Sequence, residues 1–420
     1  MKLKMCTKTT IEDRKPTQSL FPKDVFIIDK YRCHYLRSVD DIQPLISEIS
    51  GLHFFLQPPF LSVIEEKPPS GLSVRYVFIE HEGEAVGVLY FQIKKIDLGE
   101  SMEFQQVISL RKKVALAIRR TMASTVNFNT LICGNLLQTG PYGFYFSEYG
   151  GVKLGIDFLD KCTDWLIRKL KSESISVAGV LLKDFPSDNQ TNDQDANRLR
   201  YHRFAVQPDM VIEIPGHWSG FNDYLRALRS KYRVRTGRAI KKFNGIDIRK
   251  LEEEDLIIYQ DQMVALYRNV ASEASFNLFI LHRDYFLRLL QNLGEQCHIT
   301  GYFIGGKLVA FQTMLLHENH VFAHFLGYDA VTNQSHHLYH NMLLDIIRFS
   351  IESGCTKIYF SRTAMEIKSS VGAIPKDWNL YLKARNPIMN ALVAFFLRIL
   401  VPIPQWKQRH PFLNNQRLNN

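Results

Sequence analysis

Apolar residues along this chain follow two rhythms, and the order in which the rhythms alternate predicts the elements. CHITGYFI (297–304) is a β-branched and aromatic run that stops at Gly305-Gly306, a hairpin-type turn. Lys307 to His317 and Val321 to Tyr328 read as two further strands, joined by the polar turn Glu318-Asn319-His320. Asp329 to Ser335 is polar. Leu338, Met342, Leu343, Ile346, Ile347 and Ile351 then recur at helical spacing up to Gly354, a natural stop. Lys357 to Phe360 is a short strand that delivers Ser361, Arg362, Glu366 and Lys368 into a loop. A strand returning parallel must cross over through a helix, and ligands usually sit at the carboxyl ends of such strands.

The same order occurs earlier. Val25 to Ile28 predicts a strand, Asp40 to Ile49 a helix, and the proline-broken Phe54 to Ile64 a packed loop with a short helix. Val74 to Glu80 and Ala85 to Ile93 form a hairpin about Glu82-Gly83-Glu84. Thr130 to Phe146 is a glycine-containing strand region, Leu154, Phe158, Leu159, Cys162, Leu166 and Leu170 a helical stripe, and Ile175 to Leu182 a buried strand. A hairpin, a strand, a helix and a strand thus fill 74–182 and again 298–360, which implies two similar lobes side by side. Ser187 to Asn197 has no apolar anchor and is expected to be a mobile surface loop. Phe204 to Ile214 reads as one strand, and Ile257 to Tyr267 and Tyr285 to Leu293 as amphipathic helices.

Charge changes this picture at one place. The chain has 420 residues and a formal net charge of +10, which suggests an anionic partner. Phe221, Leu225, Leu228, Tyr232, Ala239 and Phe243 mark one helical face, and Arg226, Arg229, Lys231, Arg233, Arg235, Arg238, Lys241 and Lys242 crowd the others, with no acid from Leu225 to Asn244. A solvated face gains from acid–base pairs one turn apart, whereas a single-sign run repels itself and suits phosphate oxygens. The six cysteines are scattered without metal or redox spacing and read as reduced, mostly buried thiols. Met1 to Phe21 has no apolar run and reads as neither signal peptide nor anchor. Pro387 to Pro404 carries one charge, Arg398, in eighteen residues. A spanning helix needs about 20 apolar residues. The run therefore reads as a C-terminal helix packed on the core, or as one lying in a bilayer surface with Trp406, Lys407, Arg409 and His410 at the headgroups.

The sequence contains no G-x-S-x-G, P-loop or H-E-x-x-H motif. His336, His337 and His340 lack a neighbouring carboxylate or cysteine, so no metal is expected and an exposed helix start is the reading there.

The strand–helix–strand order resembles the core of the GNAT acyltransferase superfamily. Gly327-Tyr328-Asp329, followed by Arg362, Lys368, Gly372, Ala373 and Pro375, is similar to the Fem-type and peptidoglycan-recognition-type relatives. The glycine-rich phosphate loop of the superfamily is here Thr332-Asn333-Gln334-Ser335-His336-His337, without glycine. The resemblance implies an α/β (α+β) fold of two tandem GNAT-like lobes, each a mixed sheet flanked by helices. The division follows as a flexible start at 1–24, a first lobe at 25–215, a second lobe with the basic helix at 216–386, and an apolar and basic tail at 387–420.

It also implies transfer of an acyl group from a thioester or ester donor to an amine, with acyl-CoA or acyl carrier protein as donor. The basic helix and apolar tail resemble bacterial ceramide-synthase-like lipid N-acyltransferases. These imply a lipid amine acceptor and a place on the anionic cytoplasmic face of the membrane. A Fem-type transferase using aminoacyl-tRNA on a cell-wall precursor is the alternative, and a non-catalytic RNA- or membrane-binding protein on the same scaffold is a third reading. Candidate catalytic residues are His324 (a base, or a satisfied core histidine), Tyr328 (protonating a thiolate, or packing), Asp329 (site or helix cap), and Arg362 with Lys368. The last two hold an anionic ligand or bridge to Asp329 or Glu366. Arg233, Arg235, Arg238, Asn333 and Ser335 are the candidates for holding the donor.

Overall fold

The computed structural model describes residues 24–47, 49, 51–97, 127–147, 155–273, 279–400 and 405–413. Most of the start at 1–24, Cys6 and Leu154 lie outside them.

The first lobe runs β1 (Val25–Ile28), β2 (Tyr31–Leu36), α1 (Val39–Ile46), α2 (Pro58–Glu66), β3 (Leu72–His81), β4 (Glu84–Asp97), β5 (Asn127–Cys133), β6 (Phe144–Phe146), α3 (Ile156–Ser172), β7 (Val177–Pro186), α4 (Gln190–Arg198) and β8 (His202–Ala205). The second runs β9 (Asp209–Glu213), α5 (Phe221–Ala227), α6 (Ser230–Lys242), β10 (Asp247–Lys250), α7 (Glu253–Glu273), α8 (Tyr285–Leu293), β11 (Cys297–Ile304), β12 (Lys307–His317), β13 (His320–Tyr328), α9 (Ala330–His336), α10 (Leu338–Glu352), β14 (Lys357–Tyr359), α11 (Met365–Ser370) and β15 (Ile374–Lys376). Strand β16 (Trp378–Ala384) and helix α12 (Pro387–Leu400) close the described order.

Two mixed sheets result, with orders β1-β2-β3-β4-β5-β7-β16-β8 and β10-β11-β12-β13-β14-β9-β15, and β6 pairs with β4. Each holds one parallel pair reached through a helix, β5–β7 by way of α3 and β13–β14 by way of α10. The expected double lobe is present. Strands are exchanged across the boundary at 215/216: Asp209–Glu213 pairs with β14 in the second sheet, and Trp378–Ala384 pairs with β7 in the first. Phe204 to Ile214, expected as one strand, is therefore two, β8 and β9, in different sheets.

One apolar core crosses both lobes. Phe54, Phe55 and Phe60 from the first meet Phe286, Phe311 and Phe322 from the second. Phe55 and Phe322 pack edge to face at 5.1 Å between ring centres, and Phe322 stacks on Tyr359 at 4.8 Å. Each such ring contributes about 1.5–3 kcal/mol by burial, so the lobes are held as one body by apolar contact.

Three local expectations change. Ser187–Asn197 is largely helix α4. Asn189 caps it, and Asp193 binds Tyr381 and Arg203 while Arg198 binds Asp157, so polar contacts do the work of apolar anchors. The basic stretch is two helices, α5 and α6, separated at Leu228–Arg229 where Leu228 turns to extended backbone. The end of the tail belongs to the core. Arg229 N donates to Pro411 O and Leu413 N to Ala227 O, and Phe412 packs on Trp218 and Tyr224 and against Gly372. Arg409 pairs with Glu366, so it does not stand free for headgroups.

Candidate active site between the two lobes

The site grows from the place where β13 and β14 part. Their parallel ladder ends at Phe322↔Tyr359. Just beyond, β13 holds an extra residue against β12, since Met314 faces Ala323 while Gln312 faces Leu326. Thr313 Oγ1 stitches this bulge, accepting from Phe325 N at 2.9 Å and donating to Phe325 O at 2.7 Å. A bulge removes a residue from the ladder and re-aims the strand, so the backbone about His324 lies between two interrupted ladders. On the β14 side, Ser361, Thr363 and Ala364 all have left-handed backbone, φ +58°, +70° and +47°. Three strained non-glycine residues in four persist only where surroundings over-determine them, and such strain gathers at functional sites.

Lys368 supplies that determination. Reaching back from α11, its ammonium donates to Phe360 O (2.7 Å), Ser361 O (3.2 Å) and Arg362 O (2.7 Å). Burial pulls its pKa down to about 7, opposed by Asp209. All three N–H bonds have an acceptor, so Lys368 is a clamp on the strained loop, and the expected choice between a ligand anion and Asp329 or Glu366 does not arise for it. Arg362 turns the other way. Its Nε donates to Gln207 O at 2.9 Å and its Nη2 to Asp184 of the first lobe.

Asp184 is fully buried at the end of β7, with φ +62°. It accepts from Gly140 N at 2.9 Å, from Lys183 and from Arg362. Burial works to raise its pKa, but Lys183, Arg362 and the Gly140 amide outweigh this and hold it below the usual carboxylate range. Burial pulls Lys183 down to about 8 against Asp184, and its ammonium also donates to Gln138 O at 2.9 Å. Gly134 permits the approach: a Cβ there would stand 2.6 Å from Lys183 Cβ, and its φ of +150° suits glycine. The ends of β7 and β14, equivalent positions in the two lobes, therefore face each other through buried charge.

His324 is half-buried beside this network. Gln138 Oε1, which can only accept, lies 3.3 Å from Nδ1, so Nδ1 carries the proton and Nε2 accepts from the Tyr285 hydroxyl at 2.6 Å. Burial drops its pKa to about 3. It is a neutral, fully engaged imidazole.

Tyr328 and Asp329 are not brought together with it. Tyr328 lies four residues on, about 13 Å along the strand, with its ring 5.9 Å from that of Tyr339. Asp329 caps α9, accepting from Thr332 N (2.7 Å) and Thr332 Oγ1 (2.6 Å). Asn333 Oδ1 accepts from Tyr339 N, and Ser335 Oγ donates back to Val331 O and Thr332 O. Both serve the turn between α9 and α10. His340, expected at an exposed helix start, is buried, and burial with Arg235 and His337 lowers its pKa to about 4.

Arg233, Arg235 and Arg238 are exposed on α6 and, among the described residues, form no ion pair. Asn341 Nδ2 donates to Ala239 O at 3.1 Å and fastens α6 to α10. A cleft of about 400 Å³ lies between Arg235, the strained loop at Ala364, α11 and Trp406. A larger cleft of about 880 Å³ opens between the lobes, lined by Ile49, His53, Tyr142, Phe322, Tyr359 and Trp378 among others. Tyr359 borders one cleft and Ala364 the other, with Ser361–Thr363 between them.

Asp184, Lys183, Gln138, Tyr142 and Asp209 were absent from the sequence candidates. A signal existed for two: Lys183-Asp184 interrupts an otherwise apolar strand ending in Phe185.

Residues 230–369 match the family profile described as an acetyltransferase (GNAT) domain. No curated protein matches the sequence. Among solved structures the chain is similar to FemX, at 10% identity and a TM-score of 0.50, covering 86% of this chain and 99% of that one. A tandem GNAT protein from the clavulanic acid biosynthesis pathway is similar at 10% identity and a TM-score of 0.48, covering 84% and 99%. L-PGS from Bacillus licheniformis is similar at 11% and 0.39, covering 81% and 94%. The bulge and the end of the parallel ladder lie inside the matched region, and residues 230–369, which match a GNAT domain, belong to the second of two lobes of that fold.

Proposed function

We propose that this chain is an N-acyltransferase that moves an acyl group from a thioester to the amine of a membrane lipid, at the cytoplasmic face of a membrane. The observation that carries the reading is the end of the β13–β14 ladder beside a bulge in β13, where backbone groups are free of one regular ladder and a carbonyl can be held. The donor enters along the 400 Å³ cleft, with its anionic portion against Arg235 and the neighbouring arginines of α6. Acyl-CoA and acyl carrier protein both present a phosphate-bearing thioester of this kind. The acceptor comes from the inter-lobe cleft on the other side of Ser361–Thr363.

Support for the lipid acceptor comes from α12. Ile388, Met389 and Leu392 are exposed on it, while Asn390 and Val393 turn inward. No helix among the described residues is long and apolar enough to cross a membrane, and an exposed apolar face of this size suits the bilayer surface.

Mass spectrometry tests the reading: purified protein, a long-chain acyl-CoA or acyl carrier protein, and a long-chain amine should give the N-acyl amide. Turnover only with aminoacyl-tRNA would favour the Fem-type alternative.

A further inference from the structure

We propose that Asp209 is the residue that receives the acceptor's amine and takes its proton, and that the inter-lobe cleft admits a primary amine carried on an apolar body. The proposal rests on the acyltransferase reading above and adds to it a site and a ligand class.

The register fixes where Asp209 points. It pairs with Lys376 across β15, and Val211, two residues on and so on the same face, pairs with Tyr359 across β14. Lys376 and Tyr359 both line the 880 Å³ cleft, so Asp209 lies on the sheet face that carries these two wall residues. Its side chain is 1% exposed and its Oδ1 is buried without a hydrogen-bond partner. A carboxylate oxygen left so is costly unless something fills the place.

The surrounding cations do not fill it. Lys368 is held by three carbonyls, Arg362 by Asp184 and Gln207 O, and the Lys376 ammonium lies over the Trp378 ring, 4.7 Å from its centre. They compensate charge from a distance and leave the contact position to a ligand. Asp184 from β7 adds negative charge nearby, and Tyr142 and Tyr359 face the same place with hydroxyls that burial holds protonated. Burial pushes the Asp209 pKa up to about 7, against Lys368 and Arg362.

An acceptor-only group recognises a donor, and an ammonium supplies the donor and the charge together. The rest of the cleft sets the body of the ligand: Ile46, Ile49, Leu52, Pro58, Phe322 and Trp378 are apolar. Lys376, exposed, opposite Asp209 in the ladder and lining the cleft, stands at the way in. The ammonium then gives one proton to Asp209. The free amine attacks the thioester carbonyl, the C–N bond forms and the C–S bond breaks, and one of its two remaining protons leaves with the thiolate as thiol while the other stays on the amide nitrogen. Asp209 releases its proton to solvent.

Octylamine and octanol, titrated calorimetrically into the full chain at pH 8, test the site. Octylamine should bind, and Asp209→Asn should weaken it at least tenfold while octanol is unaffected. Lys376→Ala, which shortens the side chain at the way in and removes a competing positive charge, should tighten octylamine binding. Equal octylamine affinity in wild type and Asp209→Asn, or no gain in Lys376→Ala, overturns the proposal. Transfer from acyl-CoA to octylamine separates it from the broader reading. If wild type and Asp209→Asn transfer at equal rates with equal pH profiles, Asp209 is removed and the acyltransferase reading stands. If octylamine binding depends on Asp209 yet no thioester is consumed, the amine site stands and the acyltransferase reading falls.

Discussion

Asp184 at the end of β7 and Arg362 just past β14 form an ion pair that joins the two lobes at equivalent strand ends. Asp184 is fully buried and also neutralises Lys183. Asp184→Asn leaves two buried or half-buried cations uncompensated and should cost about 3–5 kcal/mol of stability. Denaturant unfolding measures it, and Arg362→Met in the same background should recover part of the loss.

Lys368→Met should lower stability. Its ammonium holds three carbonyls of a strained turn, and each acceptor left unsatisfied costs about 1–3 kcal/mol. From the sequence, an anion-binding Lys368 would spare stability and lose turnover on this substitution, and a salt-bridged one would do the opposite. Thermal melting decides between these: a markedly lower midpoint is the structural outcome.

Asp209 makes stability depend on pH with a definite sign. Its folded pKa of about 7 exceeds an unfolded value of about 3.9. The folded state therefore holds the extra proton between them, and this contribution, full below about pH 4, is lost as pH rises to about 7. The slope is at most about 1.4 kcal/mol per pH unit. The difference in unfolding free energy between wild type and Asp209→Asn, followed over this window, should fall with rising pH and level off above it.

The apolar rhythms made the repeat, the hairpins and most helices legible, because buried sheet and helix faces are written in periods of two and 3.6 residues. They also showed the short strand that precedes Ser361 and Arg362, and the basic stretch as helical, though not its division into two helices. The partners of Arg362 and Lys368 were not legible. Asp184 lies far away in the chain, and the carbonyls bound by Lys368 carry no side-chain signature. The strand exchange was hidden for a related reason, since Asp209–Glu213 and Trp378–Ala384 each look like the end of the lobe that precedes them. Of the two readings of Asp329, site residue or helix cap, the cap is the one with a visible local geometry, because capping is local.

The exposed face of α12 gives a separate expectation. Ile388→Ser with Leu392→Ser should reduce cosedimentation with phosphatidylglycerol vesicles without shifting the melting temperature, since both side chains already face solvent. Unchanged cosedimentation would remove the bilayer from the account. Deleting residues 387–420, by contrast, also removes Phe412 from Trp218 and Tyr224 and should destabilise the second lobe.

The most direct measurement is acyl transfer by the purified chain from an acyl thioester to a long-chain primary amine, with the amide quantified by mass spectrometry. The account predicts amide formation that falls at least tenfold when Arg233, Arg235 and Arg238 are changed together to Gln, with a smaller loss at high salt, where such contacts are already screened. The exposed positions of these arginines leave melting unchanged. Absence of amide from acyl-CoA, acyl carrier protein and aminoacyl-tRNA alike, with the protein folded, would contradict it.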